Sequence, residues 1–386
     1  MIRTSCLLIA LLATGCVHGA AVPADPSADT RFRAIPLDGF DDGIHHWQNL
    51  HGKEYPRHAA GQIVDIANNI LLYQRQDGGW VENRDPARIL NETDREQVRQ
   101  ESASTGGSFD NRNVYTQVEY LADAFSQTGD TRYRDAALKG LDFILGHQQL
   151  KCGGWPHTVP AKERYHPLIT IADEVTPGVL ATLRKVANGT APFGFITPDG
   201  RERARTAVER GDACLLALQI RQDGVRTGWA GQYDPDSLLP VKGRSFELPS
   251  IVVQETVAVT RYLMSIPDPS PEIAAAIEAA VDWLRRVRIE GWRLETFQAE
   301  PEQYRHHSSG TDRRLVEDPD APALWARFYD LHDNSVVLAN REGERVARYS
   351  DIPRERRTGY SWYGEWPRSL LERDYPRWKK RLAATP

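Results

Sequence analysis

The stretch Gln74-Arg75-Gln76-Asp77-Gly78-Gly79-Trp80 closes an apolar run of helical period, and the chain repeats the pattern. Gln148-Gln149-Leu150-Lys151-Cys152-Gly153-Gly154-Trp155 has the same form, as has Gln219-Ile220-Arg221-Gln222-Asp223-Gly224 continued to Gly228-Trp229. These tryptophans are 75 and 74 residues apart, and Ile289-Glu290-Gly291-Trp292 offers a weaker fourth member 63 residues on. Self-similarity at a fixed period marks a repeat architecture. Ahead of the first two turns, Ile63, Ile66, Ala67, Ile70 and Leu71, then Ala137, Leu138, Leu141, Ile144 and Leu145, each make one helix face. Ala207, Cys214, Leu215 and Leu218 lie on a third helix and Ile277, Val281 and Leu284 on a fourth, each expected to stop at glycine.

A second helix is predicted after the first three turns, over 114–126, 177–187 and 251–264. Helical hairpins of about 70 residues are too long for a simple tetratricopeptide-type solenoid. They predict a mainly α fold, an α/α toroid of repeated hairpins whose long loops form a cleft at one end. Residues 336–338 and 345–349, around Gly343, read as one small β-hairpin.

The 386 residues are 40% hydrophobic and 26% charged, with a net charge of -5, which fits a folded chain and argues against nucleic acid as a partner. Arg3 followed by apolar Leu7 to Leu12 reads as an export signal over 1–15, and Leu12-Ala13-Thr14-Gly15-Cys16 is similar to a bacterial lipobox. Cys16 is then the lipidation site, 16–33 a flexible tether and 34–386 one catalytic domain. An ordinary secretory signal cut near Ala20 or Ala21 is the alternative. The expectation is an exported monomer, periplasmic or on the outer membrane, touching the membrane only through its lipid. Cys152 and Cys214 either pair in an oxidising compartment or are separate buried thiols. No Cys/His set has zinc spacing, and the pairs His45-His46 and His306-His307 read as surface or structural.

Three segments precede the returning helices: Gly106 to Asn111, Leu168 to Asp173, and Lys242 to Ser250. Equivalent hairpins place all three at one end of the toroid and bring Asp110, Asp173 and Arg244 together. Each has a plainer reading. The aspartates stand where carboxylates cap helix N-termini, and Arg244 with Glu247 matches a surface ion pair.

Several blocks resemble the family-10 pectate lyases: Asp77-Gly78-Gly79-Trp80, Gly153-Gly154-Trp155-Pro156, Ile169 to Asp173, Arg244 to Ser250, Leu324 to Tyr329, and Gly359 to Pro367. The resemblance implies an α/α toroid and calcium-assisted β-elimination on polygalacturonate or a related acidic polysaccharide. It assigns Arg244 as the base, Asp110 and Asp173 to Ca²⁺ and the substrate carboxylate, and Arg313 and Arg327 to substrate carboxylates. Tyr360, Trp362 and Asn83 are assigned to substrate contact. Arginine is a poor base because it is normally protonated; surrounding cations favour its neutral form, and an alkaline optimum is expected. The chain departs from the family pattern at Val81-Glu82-Asn83, where Pro-Lys-Asn is usual, and at Tyr233 and Ala172. A glycoside hydrolase using Asp110 and Asp173 as paired carboxylates, and a lipoprotein that binds acidic glycans without cleaving them, are the competing readings.

Overall fold

The computed structural model describes residues 31–305 and 307–384. The expected signal, Cys16, most of the tether, and His306 lie outside these residues. The helices are α1 (Asp41–His51), α2 (Ile63–Tyr73), α3 (Glu92–Ser102), α4 (Tyr115–Thr128), α5 (Thr131–Gly146), α6 (Val175–Asn188), α7 (Pro198–Leu218), α8 (Val253–Met264), α9 (Pro271–Arg286), α10 (Arg354–Gly359) and α11 (Tyr375–Ala384). The turn-bearing helices α2, α5 and α7 neighbour one another, and the returning helices α4, α6 and α8 form a second layer against them. This is the mainly α toroid that the repeat predicts.

The repeat exists because one tryptophan and one glutamine perform the same task in each unit. Trp80, Trp155 and Trp229 are at most 1% exposed. Their indole N–H groups donate to the carbonyls of Ile70, Ile144 and Leu215 at 2.9, 2.8 and 2.7 Å, so a large apolar ring is buried with its polar atom satisfied. The side-chain amide of Gln74 donates to Gly78 and to Ala136 on α5. Gln148 spans Gly153 and Ala207 on α7, and Gln219 spans Thr227 and Ala276 on α9. Each glutamine therefore ties its own turn to the next unit.

Two expectations are corrected here. First, α2, α7 and α9 do not stop at glycine: α2 and α7 stop at Gln74 and Gln219, whose backbones are extended, and α9 stops at Val287. Glycine is needed later in the turn. Gly78 has φ 99°, and an added Cβ would lie 2.2 Å from the Lys139 carbonyl oxygen; Gly153, at φ 115°, meets the Arg210 carbonyl in the same way. Glycine does terminate α4 and α6, at left-handed Gly129 and Gly189.

Second, the fourth repeat tryptophan is Trp325, not Trp292. Trp325 is 3% exposed and its indole donates to the Leu284 carbonyl at 2.8 Å, whereas Trp292 is 36% exposed. Between them runs an antiparallel hairpin, Trp292–Gln303 against Ser308–Glu317, which the periodicity did not reveal. Neither face of this hairpin is fully buried, so its sequence carries no apolar alternation. The small hairpin near Gly343 pairs Leu338–Ala339 with Arg345–Val346, close to the expected positions. Cys152 and Cys214 form a disulfide, which joins the second turn to α7. Among the described residues no helix is long and apolar enough to cross a membrane.

Candidate active site

At one end of the toroid the loops are laced by two-residue antiparallel pairings. Gly107–Ser108 pairs with Thr158–Val159, Ile169–Thr170 with Gln232–Tyr233, and Ile251–Val252 with Phe328–Tyr329. The pairings set an internal register in which Ser108, Thr170 and Val252 are equivalent. Asp110 then corresponds to Ala172 and Gln254, while Asp173 corresponds to Asn111 and Glu255. The two aspartates thus come to one place from positions one residue apart in the repeat.

Neither aspartate caps the helix that follows it, since no side-chain cap is present on α4 or α6. Instead the backbone takes the left-handed conformation at Asn111 (φ 51°) and Arg112 (φ 61°), and again at Asp173 (φ 51°) and Glu174 (φ 60°). For non-glycine residues this costs roughly 1–2 kcal/mol each, and such strain concentrates at functional sites.

Asp110 Oδ1 lies 3.4 Å from His157 Nε2, with side chains 18% and 11% exposed. Burial alone would raise the Asp110 carboxyl, but the hydrogen bond and charge of His157 outweigh it and hold the group below its ordinary value. Asp173 is pushed up to about 7, by burial first and by the negative charge of Asp110 second.

Arg244 belongs to the loop between Val241 and Ile251. Its Nε and Nη2 donate to Glu247 Oε1 at 2.9 and 2.5 Å, and its backbone N–H donates to Glu247 Oε2 at 2.9 Å. Burial disfavours the cation, yet the charge of Glu247 outweighs burial and keeps Arg244 firmly protonated. The Tyr360 hydroxyl also donates to Glu247 Oε1, at 2.9 Å, and the Tyr360 ring carries Arg327 at 4.5 Å and Arg244 at 5.5 Å from its centroid. Arg244 and Arg327 both oppose the charge of Asp173, so two carboxylates and two guanidinium groups share one site.

The other sequence assignments fall at different distances from this centre. Asn83 accepts a hydrogen bond from Asn111 at 2.8 Å, which places it beside Asp110. Arg313 reaches the carbonyls of Arg357 and Tyr360 behind the site, at 3.3 and 3.4 Å. Trp362 is a correction. It is 1% exposed, its indole donates to the Arg356 carbonyl, and it packs against Phe246, Phe328 and Tyr360, so it supports the arginine platform from beneath and cannot meet a substrate. His46, read as surface or structural, is exposed but lies within range of the Asp110 and Arg244 charges, at the rim.

Comparison with known proteins agrees with this geometry. A family model described as pectic acid lyase matches residues 74–371. The chain belongs to the pectic acid lyase family. A family 10 polysaccharide lyase from Cellvibrio cellulosa is 28% identical, with a TM-score of 0.70, over 90% of this chain and 99% of that one. A point mutant of a family 10 polysaccharide lyase from the same organism, in complex with trigalacturonic acid, is 28% identical with a TM-score of 0.68, over 89% of this chain and 99% of that one. No curated protein matches the chain. The protein is accordingly a polysaccharide lyase.

In this pectic acid lyase family member a cavity of about 530 Å³ opens beside the site, lined among others by Asp173, Glu255, Arg112, Arg261 and Trp366. The donor set fits a hard, oxygen-seeking cation. Asp110 Oδ1 is buried without a well-formed hydrogen bond, and Asp173 is a second carboxylate close enough to feel its charge. Among the described residues no three His, Cys, Asp or Glu side chains converge as a ready-made cage, so a cation held here would draw further oxygens from substrate and water.

Sequence reasoning missed three residues of this lyase site. His157 stands two residues after a repeat tryptophan, as Arg327 stands two after Trp325, so the correct repeat register would have found it. The register of the strand pairings makes Glu255 the equivalent of Asp173. Glu255 is 6% exposed, and burial first, then the charges of Asp173 and Glu247, push it up to about 8 against the pull of Arg327. Glu247 was visible beside Arg244, but only the fold shows that its side chain is 13% exposed rather than on the surface.

Proposed function

We propose that this lyase cleaves polygalacturonate, or a related uronate polymer, by calcium-assisted β-elimination. The observation that carries the reading is the meeting of Asp110 and Asp173 with Arg244 and Arg327 at the loop end of the toroid. A relative 28% identical is known in complex with trigalacturonic acid, which supports an acidic polysaccharide as substrate.

The C5 proton of a galacturonate is α to a carboxylate, and its removal places further negative charge there. Asp110 and Asp173 would hold Ca²⁺, whose charge would offset the charge developing on the substrate carboxylate. Arg327, braced on Tyr360, is placed to pair with a carboxylate, and Arg244 takes the C5 proton in its neutral form. The C5–H electrons become the C4=C5 double bond, the C4–O4 bond breaks, and O4 takes a proton from water while Arg244 returns its own to solvent. Because Glu247 holds Arg244 protonated at rest, the base form grows with pH and an alkaline optimum follows.

Purified protein with Ca²⁺ should generate ultraviolet-absorbing unsaturated oligogalacturonides, and EDTA should stop the reaction. New reducing ends without that absorbance would instead fit Asp110 and Asp173 as an acid–base pair, an arrangement that their opposite shifts resemble. We also read the protein as exported and held by a lipid on Cys16; the Cys152–Cys214 disulfide supports an oxidising compartment. Cys16→Ser should release it from the membrane fraction, and a wild type already wholly soluble after export would refute the anchor.

A further inference from the structure

We propose that Glu247 is a positioning residue that grips the Arg244 guanidinium by its Nε–Nη2 edge, with Tyr360 as its brace, and leaves Nη1 as the nitrogen offered to the substrate. The proposal rests on the reading of Arg244 as the base.

The geometry is over-determined. Glu247 Oε1 accepts from Arg244 Nε, Arg244 Nη2 and the Tyr360 hydroxyl, while Oε2 accepts the Arg244 backbone N–H. The backbone closes on itself as well: Gly243 N–H donates to the Glu247 carbonyl at 3.1 Å, and Glu247 N–H to the Arg244 carbonyl at 3.0 Å. Side chain and turn therefore share one anchor. Gly243 leaves room for this arrangement, since a Cβ there would lie 2.7 Å from Glu247 Oε2 and 2.6 Å from Gln232 Oε1 and would displace those side-chain ends. From outside, the Ser245 hydroxyl donates to the Arg341 carbonyl. Phe246 lies under the guanidinium at 5.4 Å from its ring centroid and packs edge-on to Tyr360. Arg244 Nη1 has no hydrogen-bond partner among the described residues.

Two of the three guanidinium nitrogens are thus committed to one carboxylate oxygen, and the third has a fixed direction. A guanidinium held in this way loses little freedom when substrate arrives. Loss of such orientation lowers the rate of the chemical step while ground-state binding persists. The electrostatic effect of Glu247 works in the opposite sense. Its charge favours protonated Arg244, so a role confined to charge would make its removal accelerate the reaction.

The test uses the full protein with Ca²⁺ and polygalacturonate, following unsaturated product and melting temperature. Glu247→Gln and Tyr360→Phe should each lower kcat, by about 10- to 100-fold for Glu247→Gln, with KM within about threefold. Methylguanidinium should restore part of the turnover of Arg244→Ala and raise its melting temperature. It should do neither in Arg244→Ala/Glu247→Gln, which lacks the grip. Should Glu247→Gln melt early, Tyr360→Phe and the rescue pair decide. A wild type that makes no unsaturated product, or an active Arg244→Ala, sinks the reading of Arg244 as base. If the wild type is active and Arg244→Ala inactive, a stable Glu247→Gln with unchanged or higher kcat overturns the positioning role alone. So does rescue that is indifferent to residue 247.

Discussion

His157 Nε2 stands 3.4 Å from Asp110 Oδ1, and this contact joins the second repeat unit to the first at the point where both aspartates enter the site. It also sets the response of the metal-free protein to pH. Despite burial, which works against the cation, Asp110 raises His157, so the stability from this group is full below the unfolded value of about 6.5 and is lost as pH rises through the folded value. Asp110 itself is lowered, so its contribution holds above the ordinary value of 3.8 and disappears only as pH falls below it. Asp173 is raised from 3.8 to about 7, so its neutral form favours folding below 3.8 and that contribution is lost as pH climbs to and past about 7.

Asp173 therefore removes stability as pH climbs from about 3.8 to about 7, and His157 removes more above about 6.5. The melting temperature of metal-free protein should fall from about pH 4 to about pH 7. Asp173→Asn should flatten most of that fall, and Ca²⁺ should restore the wild type at the upper pH. An unchanged profile in Asp173→Asn would show that the slope arises elsewhere.

Arg244→Lys keeps a cation but loses the planar fork that Glu247 grips. Its rate should drop at least about 10²-fold with folding intact, while affinity for polygalacturonate changes much less. Arg244→Ala should be equally inactive. Arg221→Ala, on an exposed repeat turn where the guanidinium donates to the Gly224 carbonyl, should be near normal. Lost affinity with an unchanged maximal rate would make Arg244 a binding residue.

The corrected repeat makes a stability prediction. Trp325→Ala should cost about 3–5 kcal/mol, as a fully buried tryptophan does, and Trp155→Ala the same. Trp292→Ala, at the exposed start of the hairpin, should stay within about 0.5 kcal/mol. Denaturant unfolding of the three variants is the measurement, and an equal loss at Trp292 would restore it to the repeat.

Reducing the Cys152–Cys214 bond, or Cys152→Ser, should cost about 2–4 kcal/mol, since it closes a segment of 62 residues. The loosened turn also carries His157, so activity in the variant should fall more steeply with temperature than in the wild type. A midpoint unaffected by reductant would contradict this.

The sequence alone determined the helices of the repeated hairpins, the toroid and the family, because each rests on local information; α1, α3, α10 and α11 lie outside that repeat and were not read from it. Period-3.6 apolar faces, Gln-to-Trp turns and ordered motif blocks are all read within one unit. The N-terminal reading of export and lipidation is likewise local, and within residues 31–384 the Cys152–Cys214 disulfide bears on export alone. Tertiary structure decided what depends on distant partners. Trp325 displaced Trp292 because occupancy of a core site is set by packing across an intervening hairpin, not by spacing. Cys152 met Cys214 because turn and helix are neighbours only once folded. Trp362 went under the site rather than into it, and His157, Glu247 and Glu255 joined it, because burial and charge at a site are sums over residues far apart in the chain. The identities of Asp110, Asp173 and Arg244 were written in the sequence. That Arg244 rests in the grip of Glu247 and Tyr360 follows from a carboxylate and a phenol 113 residues apart closing on one guanidinium.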